Sequence, residues 1–193
     1  MHTPKLTEAD RTAWVRKISF DSATQSIPNV FISLVFNRET PIDVANKALR
    51  AFWTALQRRV YGESYSQYLA GFEAGSRHKL RGSVITAPAW FAHEHPDSNI
   101  HYHGVARFTK QHYERLGLKE WKAQTDDGYK LQMHSKFLSE LWKELVPAGS
   151  IEIQRIKKDE LTETIKYVMK DIHTVAQADR LVVSPLFGNQ LAG

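Results

Sequence analysis

The sequence predicts an α+β domain: an antiparallel sheet of about five strands, with helices on one face and a candidate site on the other. The first observation is the order of patterns along the chain, which reads strand, helix, two strands at a hairpin, helices, strand, helix. The second is size: 193 residues, 42% of them hydrophobic, suit one core and are few for two full domains. We therefore expect a single domain at 29–174, an N-terminal extension at 1–28 and a tail at 175–193.

The first two elements have clear local signals. Residues 29–36, NVFISLVF, are rich in β-branched and aromatic side chains, which is typical of a central strand. A helix is expected next, because apolar residues recur at helical spacing until Gly62. Its apolar stripe consists of Ala45, Leu49, Phe52, Trp53, Leu56 and Val60.

A hairpin is expected in the middle of the chain. Residues 82–92 read as a strand in which Pro88 favours an edge or a bulge, and 93–99 read as the turn that follows. Residues 99–108, NIHYHGVARF, read as the partner strand. Because side chains alternate faces along a strand, His101 and His103 share one face while Tyr102 points into the core.

The second half of the chain is interpreted as mainly helical. Residues 110–122 suggest a short helix broken at Gly117, and 129–146 suggest one long amphipathic helix. Residues 151–156, IEIQRI, read as a strand. A last helix carries the buried stripe Leu161, Ile165, Val168 and Ile172.

Composition limits the classes of site and of partner. The chain has no cysteine, so disulfides and thiolate metal sites are excluded, and any metal must be bound by histidine and carboxylate. The formal charge of +5 favours a polyanionic partner. No apolar run reaches membrane-spanning length and no secretory signal pattern precedes the first strand, so we expect a cytoplasmic protein without a membrane partner.

Two patterns carry candidate chemistry. His101 and His103 lie about 7 Å apart on a strand, a spacing that allows two imidazoles to bind one divalent ion. Tyr167 lies away from the buried stripe of the last helix, and Lys170 follows it three residues later as a helical neighbour. A phenol beside a cation is the arrangement that a nucleophilic tyrosine needs.

Taken together, these pieces resemble the HUH endonucleases, and in particular the single-tyrosine Rep-type initiators of rolling-circle replication in plasmids and phages. The matching residues are Phe36-Asn-Arg38 after the first strand, His101-Tyr-His103, and Tyr167-Val-Met-Lys170 after the strand at 151–156. The resemblance covers about 30–173 and implies a palm-like, RRM-like sheet.

The resemblance also implies roles for individual residues. Tyr167 would be the nucleophile assisted by Lys170, and His101 and His103 would bind Mg²⁺ or Mn²⁺. Members of the family usually add a third ligand from the preceding strand; Glu94 is our candidate, with His93 and His95 as the alternatives. Arg38 and Arg107 are candidate DNA contacts.

The implied reaction is nicking and joining of single-stranded DNA at an origin or element end, often a hairpin, through a 5′-phosphotyrosine. Because the chain has no P-loop motif, unwinding would require a host helicase. The resemblance implies that a host polymerase then extends the released 3′-hydroxyl. Three alternatives stay open: a relaxase or transposase with the same site, a metal-free module that binds single strands, and a metallophosphoesterase that forms no covalent adduct. Target sequence and oligomeric state are beyond the sequence.

Overall fold

A computed structural model describes residues 5–19, 27–65, 89–95, 99–125, 128–174, 177 and 180–183. Its helices are α1 Glu8–Ser19, α2 Ile42–Tyr61, α3 Lys110–Leu116, α4 Lys136–Leu145 and α5 Leu161–Val168. Its strands are β1 Val30–Val35, β2 Ala89–Glu94, β3 His101–Ala106, β4 Lys119–Thr125, β5 Gly128–His134, β6 Ser150–Arg155 and β7 Leu181–Val183.

The strands form one antiparallel sheet in the order β4-β5-β6-β1-β3-β2-β7. The predicted α+β class and antiparallel sheet are confirmed, although the sheet has seven strands rather than about five. The apolar β1 is central, as expected, because it pairs with β3 on one side and β6 on the other. Ser33 therefore lies between His103 and Glu152 in the register.

Helices cover both faces of the sheet, so the expectation that they lie on one face is wrong. The larger core lies on the Tyr102 face, where α2 packs through residues such as Trp53 and α4 through Trp142. The smaller core lies on the histidine face, where Ile18 of α1 and Ile165 of α5 pack on the sheet. The physical reason is that β1 to β3 carry apolar side chains on both faces, and each face buries them under a helix.

The predicted long helix at 129–146 is wrong in its first part. Residues 128–134 form β5, which pairs with both β4 and β6, and the helix begins only at Lys136. Apolar and polar residues alternate along β5, with Met133 buried in the core, and this period of two is the signal of a strand. Ser135 then starts α4 by accepting a hydrogen bond from the Leu138 amide, at 3.2 Å.

The segment predicted as a helix at 110–122 is also divided. Helix α3 ends where Gly117 takes a left-handed conformation with φ of 61°, and the chain leaves in a new direction. Residues 119–125 then form the edge strand β4, which the sequence reading missed. Its exposed, mostly polar side chains give little hydrophobic alternation to detect.

Parts of several predictions lie outside the described residues. These are residues 82–88 of the expected second strand, with Pro88, and the ends of the two expected flanking segments at 1–4, 20–26 and 184–193. Within the described residues, α1 packs on α5 and β7 pairs with β2. Among these residues no helix combines the length and the apolar character needed to cross a bilayer.

Candidate active site

The pairing of β2 with β3 brings a carboxylate to the histidine pair. The register sets Glu94 opposite His101 and Ala92 opposite His103. Paired residues on adjacent antiparallel strands share a face, so Glu94 lies on the histidine face. Glu94 is the last residue of β2, whereas the sequence reading had assigned it to the turn.

The same alternation separates the three candidates for a third ligand. His93 pairs with Tyr102 and lies on the opposite face, where its ring contacts the Tyr102 ring with centroids 6.0 Å apart. Burial, together with the charge of Arg180, lowers the pKa of His93 to about 4. His95 follows the strand with φ of 52°, and its ring centroid lies 5.8 Å from that of His101. Glu94 and His95 therefore lie near the pair, and His93 does not.

The two histidines of β3 present their rings at right angles to each other. The ring centroids of His101 and His103 are 6.2 Å apart, with an interplanar angle of 89°. His103 stacks on Phe31 of β1, at 5.7 Å between centroids, and its Nε2 lies 3.4 Å from Oε2 of Glu94. Packing against Phe31 thus orients the His103 ring toward the carboxylate.

Helix α5 brings the tyrosine to this group. Leu161, Ile165 and Val168 are buried in the smaller core, which leaves Tyr167 outside the stripe and 46% exposed, as its helical position predicts. The Tyr167 ring centroid lies 5.3 Å from that of His103. An accessible phenol therefore stands directly beside a histidine that is distant in sequence.

Lys170 joins the carboxylate to the tyrosine. It lies beyond the end of α5 rather than on the helix as predicted, in a turn where its amide donates to the Tyr167 carbonyl at 3.1 Å. Its Nζ lies 3.2 Å from Oε1 of Glu94 and 4.3 Å from the centroid of the Tyr167 ring. The ammonium group is thus shared between an acid from β2 and the aromatic ring of α5.

The electrostatics follow from this enclosure. Glu94 is only 3% exposed, and a buried carboxylate of this kind needs a cation or donors beside it. Burial lowers the pKa of His103, although the negative charge of Glu94 opposes this shift. Partial burial and the nearby His95 lower the pKa of His101. Partial desolvation acts to lower the pKa of Lys170, but Glu94 and Tyr167 outweigh it and raise that pKa. At neutral pH we therefore expect neutral imidazoles beside a protonated lysine.

The donor set fits a divalent metal in its chemistry. Two imidazoles and one carboxylate share a face, and Glu94 and His103 approach each other closely. As arranged, however, the described residues contain no group of three histidine or carboxylate side chains in a metal-binding arrangement. His103 Nδ1 is buried with no hydrogen-bond partner among these residues, whereas metal-binding histidines normally donate from the second nitrogen. Metal binding by this set would thus require its side chains to rearrange.

The two arginines predicted to contact DNA lie at opposite ends of the site's strands. Arg38 is exposed and follows β1, three residues after Val35, the partner of His101. Arg107 follows the other end of β3, where its Nη1 donates to the Ile27 carbonyl at 3.4 Å. Arg107 lies four positions after His103 along the extended chain, or about 13 Å. The fold therefore keeps Arg107 away from the tyrosine and leaves Arg38 near the histidine end.

A cleft beside the tyrosine was not anticipated from the sequence. It has a volume of about 620 Å³, and its lining includes Tyr167 and His103 together with Ser33, Glu152 and Gln154 of the sheet. The available signal was the alternation in β6, where Glu152 and Gln154 flank the buried Ile153. Only the pairing of β6 with β1 reveals that this polar face adjoins the histidines.

Comparison with known proteins identifies no family for this chain. No protein-family model, curated protein or solved structure matches the chain.

Proposed function

We propose that the protein is a metal-dependent HUH-type endonuclease that nicks and joins single-stranded DNA through a 5′-phosphotyrosine, in the manner of a rolling-circle replication initiator. One observation carries the proposal. Tyr167 and Lys170, at the end of α5, form one continuous series of contacts with Glu94 and His103 of the distant β2–β3 pair. A structural tyrosine has no need of a buried acid and a cation beside it.

Tyr167 is the nucleophile in this proposal. A phenol in water has a pKa near 10, so attack at neutral pH needs a nearby positive charge to favour the phenolate. Lys170 supplies that charge, because its raised pKa keeps it protonated, and it therefore acts as a cation rather than as a base. Glu94 holds the ammonium group in position from the other side.

In this proposal His101, His103 and Glu94 would bind the divalent ion, Mg²⁺ or Mn²⁺. When bound, the ion would withdraw negative charge from the scissile phosphate. Glu94 faces both Lys170 and His103, so one carboxylate links the cation at the nucleophile to the histidine pair. The exposed Arg38 at the histidine end is the proposed DNA phosphate contact, and Arg107 contributes to DNA binding farther along the sheet.

The reaction balances without a co-reactant. The oxygen of Tyr167 forms a bond to phosphorus, the bond from phosphorus to the 3′ oxygen breaks, and the proton lost by the phenol matches the one gained by the 3′-hydroxyl. The phosphotyrosine keeps the free energy of the phosphodiester, so a second 3′-hydroxyl rejoins the strand at the same site. In the cell, the released 3′-hydroxyl would prime a host polymerase after a host helicase opens the duplex.

The experiment uses single-stranded oligonucleotides tiled across the DNA that flanks the protein's own gene, with Mn²⁺. One of them should yield a conjugate that survives SDS and has the mass of the protein plus the 3′-side fragment. Tyr167→Phe should abolish the conjugate while single-strand binding changes less than about twofold. Tyr129→Phe is the matched control, because Tyr129 is 44% exposed and also lies beside lysines, but it belongs to β5 rather than to α5.

Each alternative gives a different result. A conjugate that persists in Tyr167→Phe and disappears in Tyr129→Phe would assign the nucleophile to Tyr129. Cleavage without any conjugate would point to a metallophosphoesterase that uses water. Strand binding with neither product would indicate a binding module. A relaxase or transposase would form the same conjugate but on oligonucleotides from transfer origins or element ends.

A further inference from the structure

We propose that the cleft beside Tyr167 is a nucleobase subsite that selects adenine in the bound DNA strand. The selection is made by Gln132 and Gln154, whose side-chain amides are both held by the carboxylate of Glu152. The inference depends on the proposed function, since it concerns the strand whose phosphate reaches Tyr167. It adds a source of sequence preference to that site.

The three side chains lie together because of the strand register. Gln132 of β5 pairs with Gln154 of β6, which in turn pairs with Phe31 of β1, and Glu152 pairs with Ser33. Gln132, Glu152 and Gln154 thus continue the histidine face across β6 and β5. Gln154 lines the cleft together with Ser33, His103 and Tyr167, and Gln132 lies beside it on the next strand of the same face.

The carboxylate of Glu152 determines the orientation of the Gln132 and Gln154 side-chain amides. Oε1 of Glu152 accepts hydrogen bonds from Nε2 of Gln132 at 2.6 Å and from Nε2 of Gln154 at 2.7 Å. A carboxylate only accepts, so each glutamine must turn its nitrogen toward Glu152. Each amide then keeps one free N–H and one carbonyl oxygen in a defined orientation.

A free donor beside a free acceptor on one amide is the pattern that pairs with adenine. The glutamine carbonyl accepts from the adenine amino group at N6, and the remaining N–H donates to N7. On the corresponding edge thymine presents one acceptor and a methyl group, guanine two acceptors and cytosine a donor alone. The orientation imposed by Glu152 therefore favours adenine.

The charges of the cleft favour a base over a phosphate. The lining includes four carboxylates and two cationic side chains. The lining carboxylates are Glu152, Asp159, Glu160 and Glu163. Arg155 is paired with Glu120 at 3.1 Å, and Glu160 and Glu163 are paired with Lys157 and Lys166 at 2.9 and 2.8 Å. The charges that remain in the lining are those of Glu152, Asp159 and Lys130. An excess of negative charge repels the DNA backbone, so the strand must turn a base inward. The volume of about 620 Å³ lies within the range of small-ligand sites, about 300–1,000 Å³.

The test measures binding of the protein to d(CA)₇ and to the same strand with 7-deaza-adenine, in which N7 is replaced by C–H. Fluorescence anisotropy should show d(CA)₇ binding about tenfold more tightly, as expected for one bidentate contact. The double variant Gln132→Leu with Gln154→Leu should bind both strands equally, near the weaker affinity. Glu152→Ala, which frees both amides at an exposed position, should lose most of the preference.

The matched control is Gln124→Leu. Gln124 pairs with Tyr129 and lies on the opposite face of the sheet, so this variant should keep the full preference. Equal binding of the two strands by the unaltered protein would overturn the adenine subsite, and so would a preference that survives in the double variant. In either case an SDS-stable Tyr167 conjugate would leave the proposed function standing. Absence of both the conjugate and strand binding would reject the two proposals together.

Discussion

At the scale of single residues, Glu94 is the side chain that connects the lysine and the histidine of the site. Its buried carboxylate is approached by Lys170 on one oxygen and by His103 on the other. Removing the lysine would leave an acid enclosed with one neutral imidazole, and an uncompensated buried charge is costly. Lys170 therefore has two effects that can be measured separately. It stabilises the fold by pairing with Glu94, and it favours the phenolate of Tyr167.

We predict that Lys170→Met slows conjugate formation by about 10²-fold, since removal of one preorganised charge-stabilising donor typically costs this much. The protein should also unfold at a lower temperature, because Glu94 loses its ion pair. Single-turnover conjugate assays and thermal unfolding followed by circular dichroism measure the two effects. Lys166→Met is the control, since Lys166 pairs with the exposed Glu163 one turn earlier. Equal rates for the two variants would remove Lys170 from the mechanism.

At the scale of elements, the start of α3 depends on a histidine. The N3 residue His112 completes a capping box with Thr109, whose hydroxyl lies 2.9 Å from His112 Nδ1. The imidazole is fully buried and stacks on Phe108 with centroids 4.9 Å apart. A cap built from a buried titratable ring makes the helix start sensitive to acid.

The sign of that sensitivity follows from burial, which lowers the pKa of His112 to about 4. Histidine in the unfolded chain has a pKa near 6.5. Between that pH and about 4, the unfolded state is therefore protonated at His112 while the folded state is not. The stabilisation is complete above pH 6.5 and is lost as pH falls toward 4.

We predict that His112→Gln, which keeps a capping side chain, is less sensitive to acid than the unaltered protein. Between pH 7 and pH 4 its free energy of unfolding should fall by on the order of 3 kcal/mol less. Urea unfolding at pH 7, 5.5 and 4 measures this difference. His134→Gln, at an exposed position, should keep the acid loss of the unaltered protein. Identical acid dependence in all three proteins would show that His112 does not set it.

At the scale of the whole molecule, the polar part of the histidine face extends from the site to the edge of the sheet. The register continues from Gln132 to Trp121 on β4, which is 47% exposed on the same face. Four strand spacings separate β3 from β4 in the sheet order, or about 19 Å. An exposed indole at the end of this face is suited to stack on an unpaired base.

We predict that Trp121→Ala weakens single-strand binding by about 1–3 kcal/mol, the usual value of one stacked base. The dependence of affinity on salt should not change, because no phosphate contact is lost. Anisotropy titrations of a dT₁₅ strand from 50 to 300 mM salt measure both quantities. Tyr129→Ala, with a similar exposure on the opposite face, should bind as the unaltered protein does. A steeper loss for Tyr129→Ala would assign binding to the other face.

Local pattern was sufficient for the features that depend on period and burial. The alternation in β3 correctly separated His103 from Tyr102, and the apolar stripe of α5 correctly left Tyr167 exposed. The buried strand β1 and the half-exposed strand β6 were also predicted correctly, because an apolar or alternating run of that length is a local signal. These properties are local, so the sequence by itself determined them.

The tertiary structure decided the features that depend on pairing between distant segments. The register of β2 with β3 extends β2 to Glu94 and sets that residue opposite His101, on the histidine face. The exposed strand β4 and the alternating β5 pair at the edge of the sheet, in segments that the sequence analysis predicted as helical. The contact of Lys170 with Glu94 follows from packing α5 on the sheet, since no local rule links side chains so far apart along the chain.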